Sequence, residues 1–275
     1  MLSKTSRWLT YLTAFLYAIL GIILFVLPGQ VAPVFAWKVS PFVTMTIGGW
    51  CLGNAWLAWI SARRWEWRLV YSALAYLWLF GVLQLVVVIG FRDKLAPEHP
   101  IAWLYFAAIG ANTVTAAVGV LDAVRGRPGK QEFGSAVGVS WRLMDVAFVL
   151  FVGFLGIYGA LARLGAPGTN GGIFPEVLSL FTMRSFAAFY SSIALAAILL
   201  LRERNLRTYL HHSLASYGLI VAITAAALAN LGTFDFAARP GGLIYLGAYL
   251  VVGIPLLFVF RSLGTGGREG GRPAR

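Results

Sequence analysis

Few side chains in this sequence could do chemistry in an apolar environment. Asp145, in the segment WRLMD, follows Arg142 by three residues, a spacing that places both on one helix face. Two chemistries suit it: an ion pair at the rim of a membrane span, or a proton or cation site built around the carboxylate. Asp122 and Arg125 repeat the spacing. Arg184 follows Glu176 by eight residues, and its guanidinium could hold an anionic group such as a lipid phosphate or substrate carboxylate, or pair with Glu176 and pin the segment between them. Asn54, Gln84 and Asn112, with Thr113, Thr115, Ser191, Ser192 and Thr224, offer uncharged polar groups that bind helices together or line a small polar cavity.

Other chemistries find no support. His211 and His212 are neighbours, so on a helix they point about 100° apart and cannot both face one haem. No set of convergent ligands suggests zinc. The sequence has no nucleophile elbow, phosphate-binding lysine loop, HExxH helix or dinucleotide fingerprint, and the glycines of FVGFLGIYGA follow helix-packing spacings. No cofactor and no metal site are expected. Cys51 is the sole cysteine, which rules out a disulfide framework and reads as a small buried apolar residue.

The elements that must carry these groups follow from composition. Hydrophobic residues make up 59% of the 275 and charged residues 12%, too little polar surface to wrap a soluble core of this size. Charges bunch at intervals, separated by eight apolar stretches of about 20 residues, the length a helix needs to cross the hydrocarbon of a bilayer. These predict spans over 8–27, 42–60, 68–91, 101–123, 143–164, 181–201, 209–231 and 243–260. The first has a basic start like a signal peptide, but its apolar run is long and no small-x-small cleavage site follows closely, so it reads as a retained span.

Basic residues alternate between the two faces. Lys4, Arg7, Arg63, Arg64, Arg68, Arg125, Arg127, Lys130, Arg142, Arg202, Arg204, Arg207, Arg261, Arg268, Arg272 and Arg275 fall on one, against Lys38, Arg92, Lys94, Arg163, Arg184 and Arg239 on the other. This positive-inside bias puts both termini in the cytoplasm of a cell inner or plasma membrane. It also accounts for the net charge of +12 without nucleic acid; membrane lipids are the expected partners, with a homo-oligomer or membrane complex possible.

The chain also resembles itself. Thr44-Met45 returns as Thr182-Met183, Ala58 as Ala196, Arg64 as Arg202 and Tyr71 as Tyr209, all at a separation of about 138 residues. Pro28-Gly29 and Val34-Phe35 return as Pro167-Gly168 and Ile173-Phe174, and Pro100 and Tyr105 as Pro240 and Tyr245, with a drift of about one or two residues. The expected fold is therefore an all-α membrane protein of eight transmembrane helices in two parallel four-helix repeats, 1–124 and 142–262. A cytoplasmic linker, 125–141, joins them, and a basic Gly-rich tail, 263–275, should be disordered. Gly49 and Gly53 form GxxxG, and Ala187 and Ser191 stand at the matching places, so spans two and six are expected to pack through these small faces, on each other or on a second copy. Before each lies a Pro, Gly and aromatic loop, PGQVAPVFAWKVSP or PGTNGGIFPEVLSL, that either plugs the bundle or rests at the interface on Phe35, Trp37 and Phe174. At the repeated motif the halves differ in one residue of note, Thr46 against Arg184.

These features favour a non-enzymatic membrane binding or accessory subunit, or a carrier of a small apolar or amphipathic ligand. An intramembrane lipid-modifying enzyme fits less well because no convergent acid, base or metal is evident. A proton-coupled transporter would use Asp145.

Overall fold

The computed structural model describes residues 3–126, 135–163 and 172–266, with side chains described to Phe258. The described chain is all-helical, with no strand. Its long helices are α1 (Lys4–Val26), α2 (Pro41–Arg64), α3 (Trp67–Gly90), α4 (Pro100–Gly126), α5 (Val139–Leu161), α6 (Leu180–Leu201), α7 (Leu206–Ala229) and α8 (Gly241–Gly266). Residues 127–134 of the 125–141 linker, Pro167-Gly168 and the tail beyond Gly266 lie outside the described residues.

Local chemistry fixes where the helices begin. Ser3, Ser40 and Ser179 are N-caps whose hydroxyls accept from Ser6 N, Val43 N and Thr182 N, and Asn205 caps α7 through Arg207 N. Proline occupies the first position of α2, where its missing N–H costs nothing.

Seven of the helices are long and apolar enough to cross a membrane; α2 is the exception. Its three glycines, three tryptophans, two threonines and Asn54 explain the shortfall, and its position explains why the shortfall is tolerated. Two thirds of its residues are buried, from Phe42 to Ala62, so its surroundings are protein and not lipid. It packs against α1 on one side and α7 on the other. Further pairs are α5 with α6, α3 with α6, α1 with α4, α3 with α4, and α7 with α8.

The small faces do not meet each other. A Cβ on Gly53 would lie 2.5 Å from Leu219 Cα, and one on Gly49 3.2 Å from Ala222 C, so the GxxxG face of α2 serves α7. Ala187 and Ser191 instead accept Gly159 and Gly156 of α5. A bulky aromatic residue sets the contact between α2 and α6: Trp50 stacks on Phe189 at 4.6 Å with 8° between the rings, so the backbones cannot close up there.

The first Pro and Gly loop, and the part of the second described from residue 172 onward, bury their aromatic residues in the bundle. Phe35, Trp37 and Phe174 are each at most 3% exposed. Trp37 stacks on Phe181 at 4.4 Å and donates its indole N–H to Thr182 Oγ1 at 3.1 Å. Phe35 meets Tyr105 edge-on, and Phe174 meets Phe186 and Tyr245. The first loop contains one helical turn, Pro28–Val31, continued as a 3-10 turn at Ala32–Val34, where irregular chain was expected.

Candidate functional site

The polar residues singled out from the sequence are spread through the bundle. Asn54 Oδ1 accepts from the Tyr76 hydroxyl at 2.7 Å, joining α2 to α3. Gln84 Nε2 donates to the Tyr105 hydroxyl at 2.7 Å and to Ser185 Oγ at 2.9 Å, joining α3 to α4 and α6. Asn112 Nδ2 donates to the Tyr17 hydroxyl at 3.0 Å and to Leu77 O at 2.9 Å, joining α4 to α1 and α3. All three amides are fully buried, and each tethers a different set of helices.

The expected ion pairs are replaced by helix caps. Arg142 turns away from Asp145 and donates to Leu201 O at 2.8 Å and Glu203 O at 3.0 Å, at the C-terminal end of α6. Arg184 donates to Gly159 O and, at 2.8 Å, to Ala162 O at the end of α5. Arg7 does the same for α2 through Ala62 O at 2.8 Å. The reason is general: the last carbonyls of a helix lack partners and carry the negative end of its dipole, so a guanidinium satisfies both needs at once. Glu176 is bound by the Ser40 hydroxyl, beside the N-terminus of α2. Burial pushes its carboxyl above the usual range, against the opposing pull of Ser40 and Arg239. Asp122 accepts from Ser3 N at 3.0 Å and from the hydroxyls of Ser3 and Ser6, tying α4 to the start of α1.

Asp145 has no such partner. It is 5% exposed, and its Oδ2 makes no hydrogen bond. It lines a cavity of about 120 Å³ enclosed by α5, α6, α7 and α8, with Tyr76 of α3 contributing to the wall. Space for one water takes about 10–15 Å³, so the cavity has room for several waters or a slim organic group.

Its lining mixes polar and apolar residues. Tyr209, His212, Ser213 and Ser216 of α7 join Asp145 as its polar lining, while Phe148, Phe151, Ile193, Ile220, Ile223 and Val252 give it apolar walls. Tyr190 and Tyr249 share a hydrogen bond at 2.9 Å. These tyrosines and the α7 residues were missed in the sequence. A signal existed: Tyr209, His212, Ser213 and Ser216 fall at i, i+3, i+4 and i+7, a polar stripe on an apolar helix.

The cavity is poorly equipped for covalent chemistry. Ser213 donates its hydroxyl to Tyr209 O at 3.0 Å, and His212 Nδ1 is bonded to Ser72 Oγ at 3.0 Å, so neither forms a nucleophile and base pair with the other. Among the described residues no cluster of three His, Cys, Asp or Glu could hold a metal ion. Cys51 is buried in the core. Against known protein families, curated proteins and solved structures the chain finds no match, so its own residues must carry the functional argument.

Proposed function

We propose that this is a multi-pass protein of the inner or plasma membrane that binds or carries a small apolar or amphipathic ligand in the α5–α8 cavity without altering it chemically. The observation that carries this reading is a buried carboxylate with an unpartnered oxygen in the lining of a largely apolar chamber. An ionisable group in such a place costs kilocalories and persists where something else gains from it.

Eight spans in two parallel halves, with both termini cytoplasmic, make up the architectural part of the proposal. Several correspondences support it. Helices α1 and α5 both have 23 residues, α3 and α7 both 24, and each of the latter is followed by a three-residue 3-10 turn. Arg7 caps α2 as Arg142 caps α6. Phe35 packs on Tyr105 as Phe174 packs on Tyr245. The pairing of α2 with α7 is mirrored by that of α6 with α3.

Within this frame the cavity is where the halves diverge. In the first half α1 and α4 are joined by Thr13 with Thr115, Tyr17 with Asn112, and Ser3 and Ser6 with Asp122. Matching the helix starts, Thr13 and Tyr17 correspond to Phe148 and Val152, and the Pro100 and Pro240 register sets Asn112 against Val252. Those three replacements line the cavity, and α5 and α8 are not among the closely packed pairs. Asp145 takes the place of Thr10, whose hydroxyl is satisfied by Ser6 O at 2.8 Å.

Native mass spectrometry of protein released gently from membranes tests the reading. A retained small molecule should be lost in Ile193→Trp, which fills the chamber; equal retention in both would refute it. Proton coupling is the second reading that the unpartnered carboxylate favours, and it requires uptake into vesicles to respond to Asp145→Asn.

A further inference from the structure

The geometry points to a cationic amphiphile, an alkylamine or alkylammonium whose head sits against Asp145 and whose tail lies along the apolar wall, as the ligand of this cavity. The inference rests on the binding reading above and specifies its chemistry.

Three observations converge on a cation. First, Arg142, three residues before Asp145 on α5, is committed elsewhere, to the carbonyls of Leu201 and Glu203. Among the described residues no salt bridge reaches Asp145. A carboxylate ligand would add a like charge beside one already buried, which is the costliest arrangement. A neutral ligand would leave the carboxyl to be neutralised by a proton, whereas a cation would pair with it directly.

Second, the walls are aromatic. Phe148, Phe151, Phe189, Tyr190, Tyr209 and Tyr249 line the same chamber as the carboxylate. Ring faces carry negative quadrupole density and attract ammonium groups, more strongly where water is excluded. One carboxylate within aromatic walls provides both long-range charge and short-range contact for an amine head.

Third, apart from His212, Ser213 and Ser216 the remaining lining is mostly aliphatic, with Ile193, Ile220, Ile223, Val252 and Leu256 extending along α6, α7 and α8. A hydrophilic cation such as a metal aquo ion would leave that surface unused, whereas an alkyl tail is stabilised by about 0.8 kcal/mol for each buried methylene. The loose pairing of α5 with α8 offers such a molecule a way in from the bilayer.

The test uses full-length protein in nanodiscs and three probes of one chain length: octyltrimethylammonium, octanol and octanoate. Thermal shift and equilibrium binding should rank octyltrimethylammonium first, octanol second and octanoate last. Asp145→Asn should weaken octyltrimethylammonium about tenfold or more while leaving octanol unchanged, and Asp145→Glu should retain part of the preference. Ile193→Trp should abolish binding of all three. If octanol binds as well as the cation and Asp145→Asn changes neither, the cation assignment fails while the binding reading survives. If none of the probes binds at a site that Ile193→Trp blocks, both fail. Should Asp145→Asn not fold, the probe ranking on wild-type protein alone decides the cation assignment.

Discussion

Arginines at helix ends show how single residues decide stability in this bundle. Arg142 satisfies two carbonyls at the end of α6, and Arg184 two at the end of α5. Removing a charged donor from such a site costs about 1.5–3 kcal/mol. Arg142→Gln and Arg184→Ala should each lower the thermal midpoint in detergent. Glu176 makes the opposite case. Its carboxyl is raised by burial, so the protonated form favours the fold, and its contribution is complete below the unfolded carboxylate range and is lost as pH rises through the higher folded value. Stability measured from mildly acid to neutral pH should therefore fall less steeply in Glu176→Gln than in wild type. The roles of Arg142 and Arg184 were illegible in sequence because their partners are backbone carbonyls more than 20 residues away, and spacing along a helix reports only neighbours on that helix.

Helices in this protein are positioned by close approach at small residues and by amide tethers. Gly53 leaves no space at all, with Leu219 Cα 2.5 Å from where a Cβ would stand. Gly53→Ala should push α2 off α7 and cost several kcal/mol, within the range for overpacked cores and above it if the backbones cannot separate. Gly110→Ala, with nothing within 4 Å, should be neutral by the same thermal assay. Asn112→Leu removes two interhelical bonds and should cost about 1 kcal/mol. Small-residue spacing in the sequence identified which faces pack, but the partner of each face depended on bulk elsewhere. Trp50 and Phe189 occupy the space between α2 and α6, and the glycines turn to α7.

Across the whole molecule, α2 tests the architecture. Its 24 residues are long enough to span, yet it is not among the seven helices apolar enough to do so on their own. Eight spans place the two termini on one side of the membrane and seven place them on opposite sides. Reporters fused to each end should both read cytoplasmic; opposite readings would remove α2 from the spans and the parallel repeat with it. The buried face of α2 is shielded by α1 and α7, so its polar content reflects protein surroundings and not exposure to water.

By itself the sequence determined the helical class, the approximate positions of the long apolar helices and the charge asymmetry, and it offered Asp145 as a candidate, because apolar length, basic clustering and an isolated carboxylate are local properties. The tertiary structure decided which of the scattered polar groups share a space. Asn54, Gln84 and Asn112 lie on different helix contacts, while Asp145 faces a stripe of α7 residues more than 60 positions away. It also decided that Arg142 leaves Asp145 unpartnered, since a guanidinium can satisfy the two end carbonyls of α6 only when that helix is already packed beside α5. A cavity is a gap between elements, and no order of residues along one helix specifies where its neighbours part.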